Sequence, residues 1–433
     1  MKRLVLCFDG TWQSVDAPDS VTNVVRVAQA INGESTKDHV QQVLYYQAGV
    51  GSDGGIDRIL GGVFGVGLRN NVKRALAFLS LNWNEDGDEI YIFGFSRGAY
   101  TARAVSGVIG AVGGIPKQEH FDRLGEFWDY YRIDPKVRNA DTEEARLKKK
   151  QMRDLCYPED AERDKYPIIK CLGVWDTVGS YGIPAGIGLS GLARRLTSWT
   201  KGFHDQEFGR HVGIGLHALA IDERRRGFPP TAWTIEKDKK FPAENHVEQV
   251  WFIGAHSNVG GSYRYSGLSD LALIWMMARV AELTGLEFDK KYIADNFWPC
   301  AACSLYNSVP GWMLLSKLRP FLRKVLSDQP VSRTGDGRQW QYINEKVHWS
   351  VIERLGKIGV VDETRYRTYG PKNLAKVIAE ERVAHKTAME DEFIKACAGS
   401  DSNARHKACA LSRPIDASKR ARRVARMRAS WSR

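Results

Sequence analysis

The sequence predicts an α/β fold: a mostly parallel sheet flanked by helices. Three segments predict it. Residues 90–103, IYIFGFSRGAYTAR, pass from an apolar, β-branched and aromatic run through a glycine-flanked turn into small residues. A buried parallel strand followed by a closely packed helix has this pattern. Residues 168–180 (IIKCLGVWDTVGS) and 248–263 (EQVWFIGAHSNVGGSY) each show an apolar run that gives way to a polar or Gly-rich loop. With 433 residues, 43% hydrophobic and 26% charged, the chain suits one decorated globular α/β core.

Taken in order, residues 1–112 carry strands near 3–8, 41–47 and 89–94. Residues 117–165 are charged and helical in pattern, the mark of a cap inserted after the turn at 94–98. Residues 181–245 mix Gly, Pro, aromatics and charges, and begin with an apolar loop, GIPAGIGL at 182–189, that either flanks a pocket or simply connects elements. Residues 246–285 return to the sheet and end in a helix over 271–283. The core is therefore placed at 1–285, with insertions at about 115–165 and 181–245. Residues 286–395 space Trp298, Trp312, Leu314, Leu315, Leu318, Phe321 and Leu322 like amphipathic helices, a helical extension or lid packed on the core. Residues 396–433 form a basic, flexible tail.

Gly94-Phe95-Ser96-Arg97-Gly98 fits G-x-S-x-G. The five letters alone are weak, since Gly and Ser are common loop residues. The strand before and the small-residue helix after make the segment a nucleophile elbow. Such a turn strains Ser96, admits only residues without Cβ at 94 and 98, exposes the hydroxyl, and aims helix N–H groups, Arg97 first, at an oxyanion. A serine nucleophile needs a base and an orienting acid, and in α/β-hydrolases these follow in the order Ser, Asp or Glu, His. Asp176 and His256 sit where the two later strands give way to loops, on the sheet edge where open α/β folds place their sites. His204, His211 and His217 have no clear strand ahead of them, and His246 precedes its strand. Asp222, Glu223 and Asp270 are the fallback carboxylates. In LVLCFDGTW, residues 4–12, the apolar run breaks at Asp9-Gly10-Thr11. Either the Gly10–Thr11 backbone supplies the second oxyanion N–H, or Asp9 and Thr11 merely cap the turn.

Several blocks, in order, resemble the α/β-hydrolase catalytic domain of the type VI secretion phospholipase effectors. They are FDGTW (8–12), the Gly-rich stretch 49–67, GDEIYIFGFSRGAYTAR (87–103), WDTVGS (175–180), HALAIDERRRGFPPTAW (217–233), GAHSNVGGSY (254–263) and LSDLALIWMM (268–277). The resemblance implies a triad of Ser96, Asp176 and His256, and an esterase or phospholipase acting on acyl-ester lipids. It also implies a secretion or immunity protein as a partner. The chain departs from the family pattern at Gln13 (usually Asn), Asn258 (usually Asp) and Ser262 (usually Gly). None of these removes a proposed catalytic group. A serine esterase on a soluble or polymeric ester, and a binding protein on a hydrolase scaffold, are the competing functions.

The acyl-transfer reading requires no metal and no cofactor. Gly49-Val50-Gly51-Ser52-Asp53-Gly54 matches G-x-G-x-x-G, but no acidic residue follows about twenty positions on, so it is not read as a dinucleotide site. Cys300 and Cys303 form a lone C-x-x-C among seven widely spaced cysteines, which implies neither a zinc site nor a disulfide framework. The short run from Leu4 to Phe8 is a strand rather than a signal peptide, and no run reaches the length of a membrane span. The expected site of synthesis is the cytoplasm, with any export by a signal-independent route. Net charge is +12, and SKRARRVARMRASWSR at 418–433 concentrates it. Attraction to anionic lipid headgroups is the functional reading of this tail, ahead of nucleic acid; a plain solvated terminus is the alternative.

Overall fold

The apolar runs bury both of their faces, and that fixes the layering. In β1 (Lys2–Phe8), Leu4, Leu6 and Phe8 enter one apolar cluster while Val5 and Cys7 enter another. In β3 (Glu89–Phe95), Ile90 and Ile92 take the first side, and Tyr91, Phe93 and Phe95 the second. The structure, a computed structural model, describes residues 1–10, 21–49, 63–84, 87–157, 168–178, 207–225, 228–309, 321–326, 331–332, 339–362, 365–374 and 382–398, apart from 238 and 240.

One eight-stranded sheet organises these residues. Besides β1 and β3 it contains β2 (Gln41–Gln47), β4 (Ile169–Trp175), β5 (Val212–Ala220), β6 (His246–Phe252), β7 (Glu345–His348) and β8 (Val383–Ala384). The spatial order is β8-β7-β6-β5-β4-β3-β1-β2, and every neighbouring pair is parallel. Helices α2 (Val63–Asn82), α3 (Arg97–Val112) and α4 (Leu124–Tyr131) cover one face. Helices α1 (Asn23–Ala30) and α7 (Gly267–Thr284) cover the other. This is the α/β-hydrolase-like architecture the sequence predicts.

Register brings the ends of the strands into line. Phe8 pairs with Gly94, Phe95 with Trp175, Trp175 with Ala218, and Ala220 with Phe252. The chain runs from β1 outward to β2, then returns to β3 on the other side of β1. The strand order therefore reverses between β1 and β3, where open α/β sheets leave a crevice.

The peripheral regions differ from expectation. Residues 181–245 are not only an insertion, because they supply β5 at the centre of the sheet. Gly213, Gly215 and His217 interrupt its apolar run and hide the strand; a Cβ on Gly215 would lie 2.3 Å from the Phe208 ring. Residues 286–395 are not a purely helical extension: β7 and β8 lengthen the sheet, and Gln339–Tyr342 pairs with Thr234–Glu236. The described part of the insertion, 115–157, is largely helical, with α4 and α5 (Glu143–Asp154), but α4 packs on α2 and α3 through Phe127, Trp128 and Tyr131. Loop 182–189, the Trp312–Leu318 stretch, most of the Gly-rich stretch 49–67 and the tail from 399 onward lie outside the described residues.

Helix α3 lies so close to β1 that a Cβ on Gly98 would sit 2.1 Å from the Phe8 carbonyl oxygen and 2.6 Å from that of Asp9. Both obstacles are backbone and cannot rotate away. Gly98→Ala is expected to destabilise the protein by about 3 kcal/mol, the upper end for overpacking. Gly33→Ala, where a Cβ meets nothing within 4 Å, serves as the control and is expected to stay within about 1 kcal/mol of wild type. Urea midpoints of the two variants check the difference.

Candidate active site

Three strand ends converge on one spot. Ser96, between β3 and α3, has φ 57° and ψ −118°, a conformation that an L-residue keeps only when its surroundings enforce it. They do so on both sides. A Cβ on Gly94 would lie 2.6 Å from the Gly98 carbonyl oxygen, and Gly98 is pressed on β1 as described above. The Ser96 N–H continues the sheet by donating to the Trp175 carbonyl at 3.1 Å. Its side chain stands at the start of α3, where the first N–H groups have no intrahelical acceptor.

Asp176 follows β4 directly, also at positive φ (39°), and His256 opens a short helix, α6 (His256–Gly260), after β6. His256 Nε2 accepts from the Ser96 hydroxyl at 2.8 Å, and its Nδ1 donates to Asp176 Oδ2 at 2.6 Å. Residues 160 and 80 positions apart thus join one hydrogen-bonded relay. Asp176 Oδ1 accepts from the Ala220 N–H at 3.0 Å. Burial pushes the Asp176 carboxyl up, but the Arg323 charge and the hydrogen bonds from His256 and Arg323 outweigh it and hold the group below the usual carboxylate range. Asp176 is fully buried, while Ser96 is partly open to solvent.

Aromatic rings flank the imidazole, and a second carboxylate holds the His256 backbone. Phe95 lies 4.7 Å from the His256 ring by centroids, and Phe228 meets it edge-on at 5.2 Å. Glu223 Oε2 accepts the His256 backbone N–H at 3.2 Å, and its Oε1 accepts from the Ser308 hydroxyl at 2.8 Å. Burial raises Glu223, but the Arg225 bond and charge prevail and bring it down to about 2. Asp222 anchors the same loop through the Gly254 N–H at 2.8 Å and the Tyr369 hydroxyl at 3.0 Å. Asp270 serves elsewhere, accepting from Arg26 and from the Trp298 N–H. None of these three fallback carboxylates bonds the imidazole ring.

The other candidates separate. Gly10 lies beside Ser96, where an added Cβ would be 3.5 Å from the Ser96 Cβ. Its N–H donates to Asp9 Oδ1 at 2.6 Å. Asp9 also accepts from the hydroxyls of Thr22 and Tyr46, each at 2.8 Å, so it acts as the cap of this turn. Thr11, Gln13 and His204 lie outside the described residues. His217 accepts the Thr177 N–H at 3.2 Å and burial lowers it to about 3; His211 bonds Ser106 at 3.0 Å and burial lowers it to about 4. His246 pairs with Glu248. A second serine–histidine–carboxylate set, Ser350, His348 and Glu390, is at most 1% exposed, with His348 capping the following helix, a structural arrangement. Cys303 is buried and Cys300 half-buried.

The departures from the family pattern gain a local account. Asn258 Oδ1 accepts the N–H groups of Ala255 and Tyr306 at 3.3 and 3.2 Å, and Nδ2 donates to the Ser304 carbonyl at 3.2 Å. An aspartate would serve the first two and lose the third bond. Ser262 has φ 86°, a region that glycine enters without a Cβ clash, which is why glycine suits this position. Ser262→Gly is expected to gain up to about 1 kcal/mol, backbone relief exceeding the added freedom of the unfolded chain. A higher thermal midpoint with unchanged secondary structure checks it.

Comparison with known proteins falls on this same region. The family model for the T6SS phospholipase effector Tle1-like catalytic domain matches residues 2–279, which contain Ser96, Asp176 and His256. An uncharacterized protein of Saccharomyces cerevisiae is 30% identical over 254 residues, which cover 54% of this chain and 33% of that protein. Among solved structures, an uncharacterized protein from Pseudomonas aeruginosa is 20% identical with a TM-score of 0.36, covering 65% of this chain and 46% of the other. The Tle1 effector bound to the VgrG spike of the type 6 secretion system is 18% identical with a TM-score of 0.32, covering 61% and 51%. The chain thus spans about a third of the curated relative and about half of the solved chains. With more than half of its length matched by the model, the chain belongs to the family of Tle1-like catalytic domains of type VI secretion phospholipase effectors.

Proposed function

We propose that this protein is a serine carboxylic ester hydrolase that cleaves acyl esters of membrane phospholipids. The observation that carries the reading is the relay from Ser96 through His256 to Asp176, at 2.8 and 2.6 Å, on a strained turn at the crevice of the sheet. Membership of a phospholipase effector family supports lipid as the substrate class.

In this reading His256 Nε2 takes the proton of Ser96 as Oγ attacks the ester carbonyl carbon. Asp176 keeps the imidazole in the tautomer with hydrogen on Nδ1 and stabilises it once charged. The negative oxygen of the tetrahedral intermediate is stabilised by the Arg97 N–H at the start of α3. Gly10 joins it only if its N–H leaves Asp9 Oδ1; Thr11, the other residue of that turn, stays a proposal from sequence. Collapse of the intermediate expels the alcohol, which receives the proton from His256. Water then attacks the acyl-Ser96 ester by the same route in reverse, releasing the fatty acid and restoring the hydroxyl.

Interfacial contact through the basic tail and docking to a secretion or immunity partner belong to the same proposal. The tail reading rests on charge alone. Among the described residues no helix is long and apolar enough to cross a membrane.

Fatty-acid release from mixed phospholipid vesicles is the direct measurement. Ser96→Ala is expected to lower it at least about 10³-fold, and Asp176→Asn, which disturbs the tautomer, by about 10³- to 10⁴-fold. Wild-type release equal to that of Ser96→Ala would sink the lipase reading. Cleavage of short p-nitrophenyl esters by wild type alone, without vesicle hydrolysis, would move the substrate to a soluble ester.

A further inference from the structure

Arg323 lies beyond the residues matched by the family model, yet it ends at the proposed catalytic acid. Its Nη1 donates to Asp176 Oδ1 at 2.5 Å and to the Ala220 carbonyl at 2.9 Å. Its Nη2 donates to Asp176 Oδ2 at 3.0 Å and to the Phe228 carbonyl at 2.8 Å. Both partners of this ion pair are fully buried. The segment carrying Arg323 is itself tied down. The Phe321 N–H donates to the Arg224 carbonyl at 3.3 Å, and Asn373 Nδ2 donates to the carbonyls of Arg323 and Ile221 at 3.1 and 3.2 Å. Val325 and Leu326 pack with Leu219, Ile221 and Ile253.

We propose that Arg323 is a positioning residue for acyl transfer, its guanidinium locking the Asp176 carboxylate so that Oδ2 faces His256 Nδ1. The inference rests on the serine-hydrolase reading above. A carboxylate can turn about its Cβ–Cγ bond. A planar fork that binds both oxygens removes that freedom, and a lysine, a single point charge, cannot do the same. The fork also fixes Phe228, whose ring meets the imidazole, through that residue's carbonyl. One group thus orients the acid directly and a wall of the base indirectly.

The bond has a second effect, on charge. Arg323 neutralises Asp176 in a buried site, so less of the carboxylate's field is left to favour the imidazolium. Among the described residues, the charged and titratable groups near the pair include Glu223 with its partner Arg225, His217 with Arg103, and Asp222, which anchors the loop before His256. Glu223 is already paired, and His217 stays neutral because burial holds it near 3. Removing the guanidinium therefore leaves the Asp176 charge to His256 and the Ala220 N–H and favours proton uptake on the imidazole, with a titration that belongs to the pair.

The test uses the full chain with Arg323→Ala, Arg323→Gln and Arg323→Lys, and p-nitrophenyl ester hydrolysis from pH 4 to 9. For Arg323→Ala and Arg323→Gln, kcat is expected to fall by about 10²-fold with KM little changed. The acid limb of kcat should move up by on the order of one pH unit. Methylguanidinium should restore part of the rate of Arg323→Ala and return the limb toward wild type. Arg323→Lys should keep the limb and still lose rate. The His256 imidazole, titrated by NMR in a Ser96→Ala background with and without Arg323→Gln, should show the same upward move without turnover. That readout survives if wild type proves to hydrolyse nothing, so failure of the esterase reading and failure of this inference are distinguishable. Folded variants with wild-type kcat and limb would overturn the inference. So would a rate loss with no shift of the limb and no guanidinium rescue, or the failure of all three variants to fold, since each marks a role in stability alone.

Discussion

The site depends on how closely the first turn of α3 lies on β1. That approach is set by two missing side chains: Gly94 and Gly98 are bounded by backbone atoms, which cannot rotate away as side chains can. It holds Ser96 in a conformation that the residue would not keep alone. It also places Ser96 at the reversal of strand order, beside the turn that ends β1. The parallel register then delivers Asp176 and His256 from β4 and β6 to the same edge. The strain is local, and the means of sustaining it are spread over four strands.

Much of this is legible in the sequence because it is written in short segments. An apolar run followed by a polar loop marks where a buried strand stops, and Ser96, Asp176 and His256 each stand just past such a stop. The structure brings all three together. What escapes is what depends on distant partners. β5 is hidden because its glycines and His217 are explained only by Phe208, Trp233 and the neighbouring strands. Phe228 lies in DERRRGFPP, which reads as a charged turn; it meets the His256 ring with Arg225 over its own ring and Arg323 on its carbonyl. Arg323 itself sits in KLRPFLRK, residues 317–324, where four basic side chains look alike until one is found buried.

The site is also more elaborate than three side chains. Asp176 receives four hydrogen bonds, from His256, Ala220 and twice from Arg323. The loop holding His256 is braced by Glu223, Asp222, Asn258 and Tyr369. An ion pair so thoroughly buried is weak evidence for stability, because desolvation offsets its attraction. Its value lies in direction: the carboxylate has one permitted orientation, and that orientation faces the imidazole.

The last two strands give the sheet a dependence that matching alone does not suggest. β7 and β8 come from residues 345–384, well past the matched span, yet they cover the outer side of β6, whose far end leads to His256. The Trp251 indole on β6 donates to Glu345 on β7 at 3.0 Å. A polypeptide cut at the end of the matched span would leave β6 as a bare border, its backbone N–H and C=O groups open to any extended strand that approached. Such a fragment would tend to stack with copies of itself. The span matched by the family model and the sheet that carries the candidate site therefore end at different places in this protein.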